Sequence, residues 1–146
     1  MNIKKGTLEN LEELVVLFDQ YRQFYGQESN EFLAQEFLTE RIKKEESIIY
    51  LAYLDDSPVG FTQLFPSFSS VSMERMWILN DLFVSKKARQ KGVANALIEQ
   101  AITLSKETDG KGILLETGAD NFSAQKLYEK IGFEQESAKF YFYSTH

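Results

Sequence analysis

A short basic segment contains the residues whose types and spacing are best suited to chemistry. The range 82–98 has no acidic residue, although the chain as a whole has a net charge of −6. An apolar stretch precedes this basic segment, and Gly92 and Ala94 follow it, which is typical of a strand, a loop and the start of a helix. The first turn of a helix has unpaired backbone N–H groups and a partial positive charge, and small residues let a phosphate approach them. The segment therefore predicts a pyrophosphate site, and the alternative is a solvated basic loop. Its basic residues are Lys86, Lys87, Arg89 and Lys91.

The composition excludes several kinds of catalysis. The chain has no cysteine, and its single histidine is His146, the last residue. Thiol nucleophiles and thiolate metal sites are therefore absent, and a Ser-His-Asp triad has no suitable base. Its length of 146 residues predicts a single domain spanning residues 1–146. No apolar run reaches the ~18–20 residues of a membrane span, so we expect a cytoplasmic protein without a membrane partner. One short basic segment on an acidic chain also argues against nucleic acid as a partner.

The elements that must position this segment follow from hydrophobic periodicity. Thr7 is suited to cap a first helix, apolar residues at i, i+4 spacing indicate a second helix at 31–43, and a third follows Gly92. A fourth helix ends at Gly132, where a glycine after the last turn is common. Alternating strands and helices in the second half predict an α/β fold. Strands are predicted at residues 3–5, 47–54, 59–65, 77–84, 113–117 and 140–143, with a loop at 66–72.

Two motifs resemble those of the GNAT superfamily, the GCN5-related N-acetyltransferases. The family pattern R/Q-x-x-G-x-G/A is matched by the range 89–94, which follows a strand as it does in the family. The second pattern, N-x-x-A-x-x-L-Y-x-x-x-G-F, is matched by Asn121, Ala124, Leu127, Tyr128, Gly132 and Phe133. The resemblance covers residues 1–143. Within the superfamily the chain looks most like the branch of diamine acetyltransferases and yeast histone and polyamine acetyltransferase-like proteins.

The resemblance implies a fold and a co-substrate. The fold would be a mixed, mostly antiparallel sheet with splayed central strands and helices on both faces. The co-substrate would be acetyl-CoA, with no metal, and its pantetheine arm would lie along the backbone of Leu82, Phe83 and Val84. The splay would begin at Asn80-Asp81, where the family often has a bulge. The pyrophosphate would be held by Arg89, Gln90 and the amides of Lys91, Gly92, Val93 and Ala94, with Asn121 near the cofactor and Tyr128 facing its sulfur.

The implied chemistry is direct attack of an amine on the thioester in a ternary complex. An alkylammonium has a pKa near ~10.4 and must lose a proton. Asp81 and Glu116 are the candidates for the base or the anchor of the amine, and the alternative for each is a solvent-facing strand residue. Relatives often have an acid at the position of Asn80, so a water chain is the alternative to Asp81. The backbone N–H of Phe83 is the expected oxyanion donor. Tyr128 is the expected proton donor to the leaving thiolate, and the alternative is that it is a core tyrosine.

The sequence gives less direct evidence for the identity of the acceptor amine. The net charge favours a small cationic amine, and Tyr21, Tyr25, Phe65 and Phe68 could line its pocket or simply pack. A protein or peptide N-acetyltransferase is the second possibility, and a non-catalytic acyl-CoA-binding sensor is the third. A strand at 140–143 with aromatic residues on both faces would be inserted between others or would pack in a homodimer.

Overall fold

A five-stranded sheet organises the first part of the chain, Met1–Glu116, in a computed structural model that describes residues 1–146. The second part, Thr117–His146, is a separate compact unit. The elements of the first unit are β1 (Asn2–Lys5), α1 (Leu11–Phe24), α2 (Glu31–Lys43), β2 (Ile48–Leu54), β3 (Ser57–Ser69), β4 (Glu74–Val84), α3 (Val93–Glu107) and β5 (Ile113–Leu114).

The sheet is mixed and mostly antiparallel, as the resemblance implied. The strands lie in the order β1-β2-β3-β4-β5, and only the pair β4 and β5 is parallel. The chain returns from β4 to β5 through α3, which is the helical crossover that a parallel pair requires. The short β5 pairs only with Trp77 and Ile78 of β4. The strand predicted at 113–117 is therefore confirmed only in its first two residues.

Helices cover both faces of the sheet. On one face α1 and α2 pack through Phe18 and Leu38 against Leu51, Phe61 and Phe83, all of which are buried. On the other face lies α3, whose Gln100 side chain is hydrogen-bonded to Tyr50 of β2. Successive side chains of a strand point to opposite faces, so Tyr50 and Leu51 contact different helices.

Local signals at the first helices behave as predicted. Thr7 caps a short 3₁₀ turn that leads into α1, and its side chain and that of Asn10 form a reciprocal capping box. The observed bounds of α2 agree with the predicted 31–43. Asp55 and Asp56 both have positive φ, of 49° and 64°, and join β2 to β3 in a tight hairpin.

The long hairpin of β3 and β4 corrects one prediction. Residues 66–72 were expected to form a loop, but β3 continues to Ser69 and the connection is only the range 70–73. Pro66 pairs with Trp77, while β2 ends its pairing with β3 at Leu64. Beyond Leu64 the strand β3 has a partner on one side only, which is where proline is tolerated in a sheet.

The second unit contains one helix, α4 (Phe122–Ile131). The side chain of Asn121 accepts a hydrogen bond from the amide of Ala124 at 3.3 Å, so it caps this helix. Gly132 ends it with a φ of 126°. The range 133–146 forms neither helix nor strand, so the strand predicted at 140–143 is not present. Aromatic content favours a strand, but a strand also requires a hydrogen-bonded neighbour. No helix in the structure has the length and apolar content needed to cross a membrane.

Candidate active site

One edge of β4 has unpaired backbone groups. The last residue of β4 that is paired with β5 is Ile78, opposite Leu114, so no strand lies beside this edge from Asn80 to Val84. The register with β3 slips between Gln63 and Leu64, which leaves Asn80 as the extra residue of a β-bulge. The predicted bulge and the predicted start of the splay at Asn80-Asp81 are both confirmed.

The direction of each peptide group decides whether it faces β3 or the open edge of β4. The amide of Ser85 donates to Val59 of β3 at 2.7 Å, and Phe61 is paired with Phe83. Peptide groups alternate in direction along an antiparallel strand, so the N–H and C=O of Phe83 face β3. The groups that face the open edge are those of Leu82 and Val84. The N–H of Phe83, the expected oxyanion donor, is thus directed to β3, and the N–H at this edge is that of Leu82; an oxyanion donor here stays a prediction.

The N-terminus of α3 has the free amides that an anion site needs. Ala96 is the first residue of α3 whose amide donates to a backbone carbonyl, that of Gly92, at 3.0 Å. The amides of Val93, Ala94 and Asn95 have no backbone acceptor, and no side chain caps the helix. Gly92 has a φ of 79°, and a Cβ built on it would meet no atom within 4 Å. The space beside Gly92 is therefore open, and its left-handed backbone favours glycine.

The basic segment precedes this helix and is tied back to β4. The Nε of Arg89 donates to the carbonyl of Val84 at 3.2 Å, and its guanidinium lies 5.5 Å from the centre of the Phe24 ring. The side chain of Arg89 thus shapes the loop in addition to adding charge. Gln90 has a φ of 63°, which turns the chain toward the helix start. The side chains of Lys86, Lys87 and Lys91 are exposed.

Asp81 lies under the bulge as a buried carboxylic acid, only 5% exposed. Its Oδ2 accepts a hydrogen bond from Gln63 Nε2 at 2.5 Å, and its Oδ1 accepts one from Asn80 Nδ2 at 3.2 Å. The hydroxyl of Tyr21 is a third partner and also lies 3.5 Å from the carbonyl of Asn80. Burial raises the pKa of Asp81, and hydrogen bonds from Gln63, Tyr21 and Asn80 oppose that rise.

Three residues of this region escaped the sequence analysis. A Cβ on Gly60 would come within 2.8 Å of the carbonyl of Phe83 and 3.3 Å of Val93, so only glycine lets α3 begin this close to β3. Gln63 and Ser47 are buried polar residues whose partners become visible only once the strands are in register. A polar residue within an otherwise apolar strand was the available signal for Gln63.

The four aromatic residues proposed for the acceptor pocket lie in two different places in the structure. Tyr21 lies beside Asp81, and its ring makes an edge contact with Tyr25 at 5.2 Å. Phe68 is instead on the distal part of the hairpin, where its ring lies under Arg75. Phe65 is paired with Ile78 on the same hairpin. Tyr21 is therefore the one that borders the bulge, and Tyr25 is in contact with Tyr21.

Within the second unit, Tyr128 belongs to α4 and its ring packs against Phe133, with centroids 5.8 Å apart. Its predicted catalytic role and the cofactor role of Asn121 stay predictions. No group of three acidic, histidine or cysteine side chains converges on a common point in the structure.

Comparison with known proteins agrees with this arrangement. Residues 12–133 match the acetyltransferase (GNAT) family. An uncharacterized N-acetyltransferase of Bacillus subtilis strain 168, YhfO, is 41% identical over 137 residues, which are 94% of this chain and 92% of that protein. The crystal structure of a probable acetyltransferase superposes with a TM-score of 0.94 at 44% identity, covering 100% of this chain and 99% of that one.

A more distant structure shares the fold alone. Aminoglycoside N-acetyltransferase AAC(6')-Iy, solved in complex with CoA, has a TM-score of 0.83 at 20% identity, covering 99% of this chain and 95% of that one. The chain is a member of the GNAT family and is an acetyltransferase.

Proposed function

We propose that this enzyme transfers an acetyl group from acetyl-CoA to a primary amine on a small cationic molecule. The observation that carries the proposal is the junction of two unpaired backbone surfaces in consecutive elements. The open edge of β4 supplies the peptide groups of Leu82 and the N–H of Val84, whose carbonyl already accepts from Arg89. The uncapped start of α3 supplies the amides of Val93, Ala94 and Asn95.

The residues of the first unit fit acetyl-CoA. An extended pantetheine arm can take the place of a missing strand beside Leu82, because peptide groups there have no other partner. A pyrophosphate suits the start of α3, where free amides, open space at Gly92 and exposed lysines coincide. The CoA bound by the aminoglycoside enzyme of the same fold supports this assignment. Acetyl-CoA supplies a thioester that is already activated toward an amine.

The chain's own groups then have three tasks. A protonated amine must lose a proton before it can form the bond to the acetyl carbon, and we assign that proton to Asp81, directly or through Tyr21. A carboxyl whose pKa is raised by burial is a better base than an exposed one, because base strength increases with pKa. The N–H of Leu82 is assigned to the carbonyl oxygen of the acetyl group, where negative charge develops.

The third task is protonation of the sulfur when the carbon–sulfur bond breaks, and we assign it to Tyr128. Support comes from the match of Tyr128 to the second motif, and a tyrosine hydroxyl is a neutral proton donor at pH 7. The nitrogen loses two protons in all. Asp81 takes the first before the attack and passes it to solvent, and the second, released when the tetrahedral intermediate collapses, replaces the proton that Tyr128 gives to the thiolate.

A cationic acceptor is supported by the surroundings of the bulge. Asp81 provides a carboxylate, and the rings of Tyr21 and Tyr25 provide faces that attract cations. The net charge of −6 adds long-range attraction for a positively charged amine. The homodimer and the cytoplasmic location stay predictions.

A thiol-release assay tests the function. Acetyl-CoA is incubated with the protein and, one at a time, with polyamines, amino acids, aminoglycosides and basic peptides. We expect thiol release that depends on a small cationic amine and that weakens as salt rises. Release only with peptides would move the assignment to a protein acetyltransferase. Tight acetyl-CoA binding without release on any amine would make the chain a sensor and would contradict the proposal.

A further inference from the structure

Gln63 is an unusual residue for its position. It lies on β3 in the middle of the sheet and is 1% exposed, on the face that α1 and α2 cover. A buried side-chain amide is costly unless its donors and acceptor are hydrogen-bonded. Both ends of Gln63 are satisfied by side chains. Ser47 donates its hydroxyl to Oε1 at 2.8 Å, and Nε2 donates to Oδ2 of Asp81 at 2.5 Å.

The bulge is what brings Gln63 to Asp81. The register of β3 and β4 slips immediately after Gln63, so Gln63 and Asp81 are the last directly opposed pair before the extra residue, Asn80. Opposed residues of an antiparallel pair have their side chains on the same face. A regular strand without the bulge would leave either Asp81 or the apolar residues that precede it on the wrong face of the sheet.

Ser47 sets the orientation of the amide. A carboxylate only accepts hydrogen bonds, so it must face the NH₂ group of Gln63 and not the oxygen. The Ser47 hydroxyl donates to that oxygen from the other side and is itself only 8% exposed. The chain of bonds from Ser47 to Gln63 to Asp81 therefore has one consistent direction, and it ends on a single carboxylate oxygen.

We infer that Gln63, held in place by Ser47, is a positioning residue for Asp81: it holds Oδ2 and leaves Oδ1, which accepts a hydrogen bond from Asn80, to exchange a proton with the acceptor amine. The inference rests on the base role assigned to Asp81 in the proposed function. Asp81 forms no ion pair in the structure, so hydrogen bonds alone compensate its burial. Gln63 makes the first of the three hydrogen bonds that lower the pKa of this carboxyl against the rise caused by burial.

The inference is tested by measuring the pKa of the Asp81 carboxyl directly. Protein labelled with carbon-13 at aspartate carboxyls is titrated by NMR as wild type, as Gln63→Met and as Ser47→Ala. Met has a similar length and volume but no donor. We expect the pKa of Asp81 to rise in Gln63→Met by about 1–2 units, the effect of one hydrogen bond to a charged group. Ser47→Ala should shift it less, in the same direction.

The matched control is Ser105→Ala. Ser105 is 5% exposed, like Ser47, but lies in α3 on the opposite face of the sheet. Loss of this hydroxyl should leave the titration of Asp81 unchanged. Where Gln63→Met does not fold, Ser47→Ala against Ser105→Ala carries the test. An unchanged titration of Asp81 in the folded Gln63 and Ser47 variants would overturn the inference.

Turnover separates this inference from the function it rests on. With the best amine of the panel, the acid limb of the kcat profile should move to higher pH in Gln63→Met, while KM for acetyl-CoA stays constant. A purely structural Gln63 would lower Tm and leave that profile in place. If Asp81→Asn has wild-type kcat, the base role fails, whatever the Gln63 variants show. If Asp81→Asn is inactive but Gln63→Met moves neither titration nor profile, only the positioning role fails.

Discussion

Asp19 and Asp81 are both buried carboxylic acids, 2% and 5% exposed, and their pKa values are displaced in opposite directions. Burial opposes ionisation of both. At Asp19 it is outweighed by hydrogen bonds from Ser29 and the amide of Asn30, at 2.6 and 2.8 Å, and by the charge of Arg22. At Asp81 no cation is paired with the carboxyl, and burial prevails. One acid therefore stabilises the fold, and the other is kept at a cost in stability.

Replacing Asp81 by asparagine should stabilise the protein at neutral pH while it removes activity. The folded pKa of Asp81 lies above its ordinary value of 3.8, so the folded state holds its proton longer. Stability is consequently lost as pH rises from 3.8 through the folded pKa. Asp81→Asn should have a higher Tm than wild type at pH 7, and the difference should shrink toward pH 3.5. Its kcat should fall about 10²–10⁴-fold.

Thermal melts across pH, combined with thiol release, check this prediction. A lower Tm of Asp81→Asn at pH 7 would show that the carboxylate is a structural group. Full turnover would remove it from the mechanism.

Replacing Asp19 by asparagine should have the opposite effect on stability. The folded pKa of Asp19 lies below 3.8, so its contribution is present above that pH and disappears as pH falls through the folded value. Its hydrogen bonds hold the segment between α1 and α2, where Ser29 and Asn30 precede the second helix. Asp19→Asn should cost about 1–2 kcal/mol at pH 7 in urea unfolding. A loss that is the same at pH 7 and pH 3 would argue against an ionised Asp19.

Tyr128→Phe tests the proposed proton donor. The substitution keeps the ring that packs against Phe133 and removes only the hydroxyl. If the hydroxyl protonates the leaving thiolate, kcat should fall by up to about 10²–10⁴-fold at unchanged acetyl-CoA affinity. Phe133→Leu is a suitable control, because it alters the same contact and leaves the hydroxyl. A lowered Tm with wild-type kcat per folded molecule would show that Tyr128 is a core residue.

Much of the first unit could be predicted because the signals are local. Apolar spacing gives the bounds of α2, and Thr7 marks the turn that leads into α1. Each of these features is set by residues a few positions apart. The start of α3 is also a local feature. Its N-cap residue, Gly92, has a positive φ, which favours glycine, and no side chain caps the helix there.

Features set by long-range register could not be predicted. Whether Phe83 or Leu82 presents its N–H at the open edge depends on the register of β3 and β4, and no local pattern in the sequence reveals that register. The contact of Gln63 with Asp81 has the same origin. The extension of β3 past Pro66 depends on where β2 stops, which proline alone does not indicate.

The central claim is that acetyl-CoA binds at the start of α3, and a pair of glycine variants tests it most directly. Gly92 and Gly26 both have positive φ, of 79° and 87°, and both face open space. Gly92→Glu and Gly26→Glu therefore add the same bulk, charge and backbone strain, but only the first places a carboxylate before the free amides of α3. Calorimetric titration with acetyl-CoA should give Gly26→Glu a Kd within about threefold of wild type. Gly92→Glu should bind at least about 100-fold more weakly, because an anion then occupies the helix N-terminus. Wild-type affinity in Gly92→Glu would contradict the account.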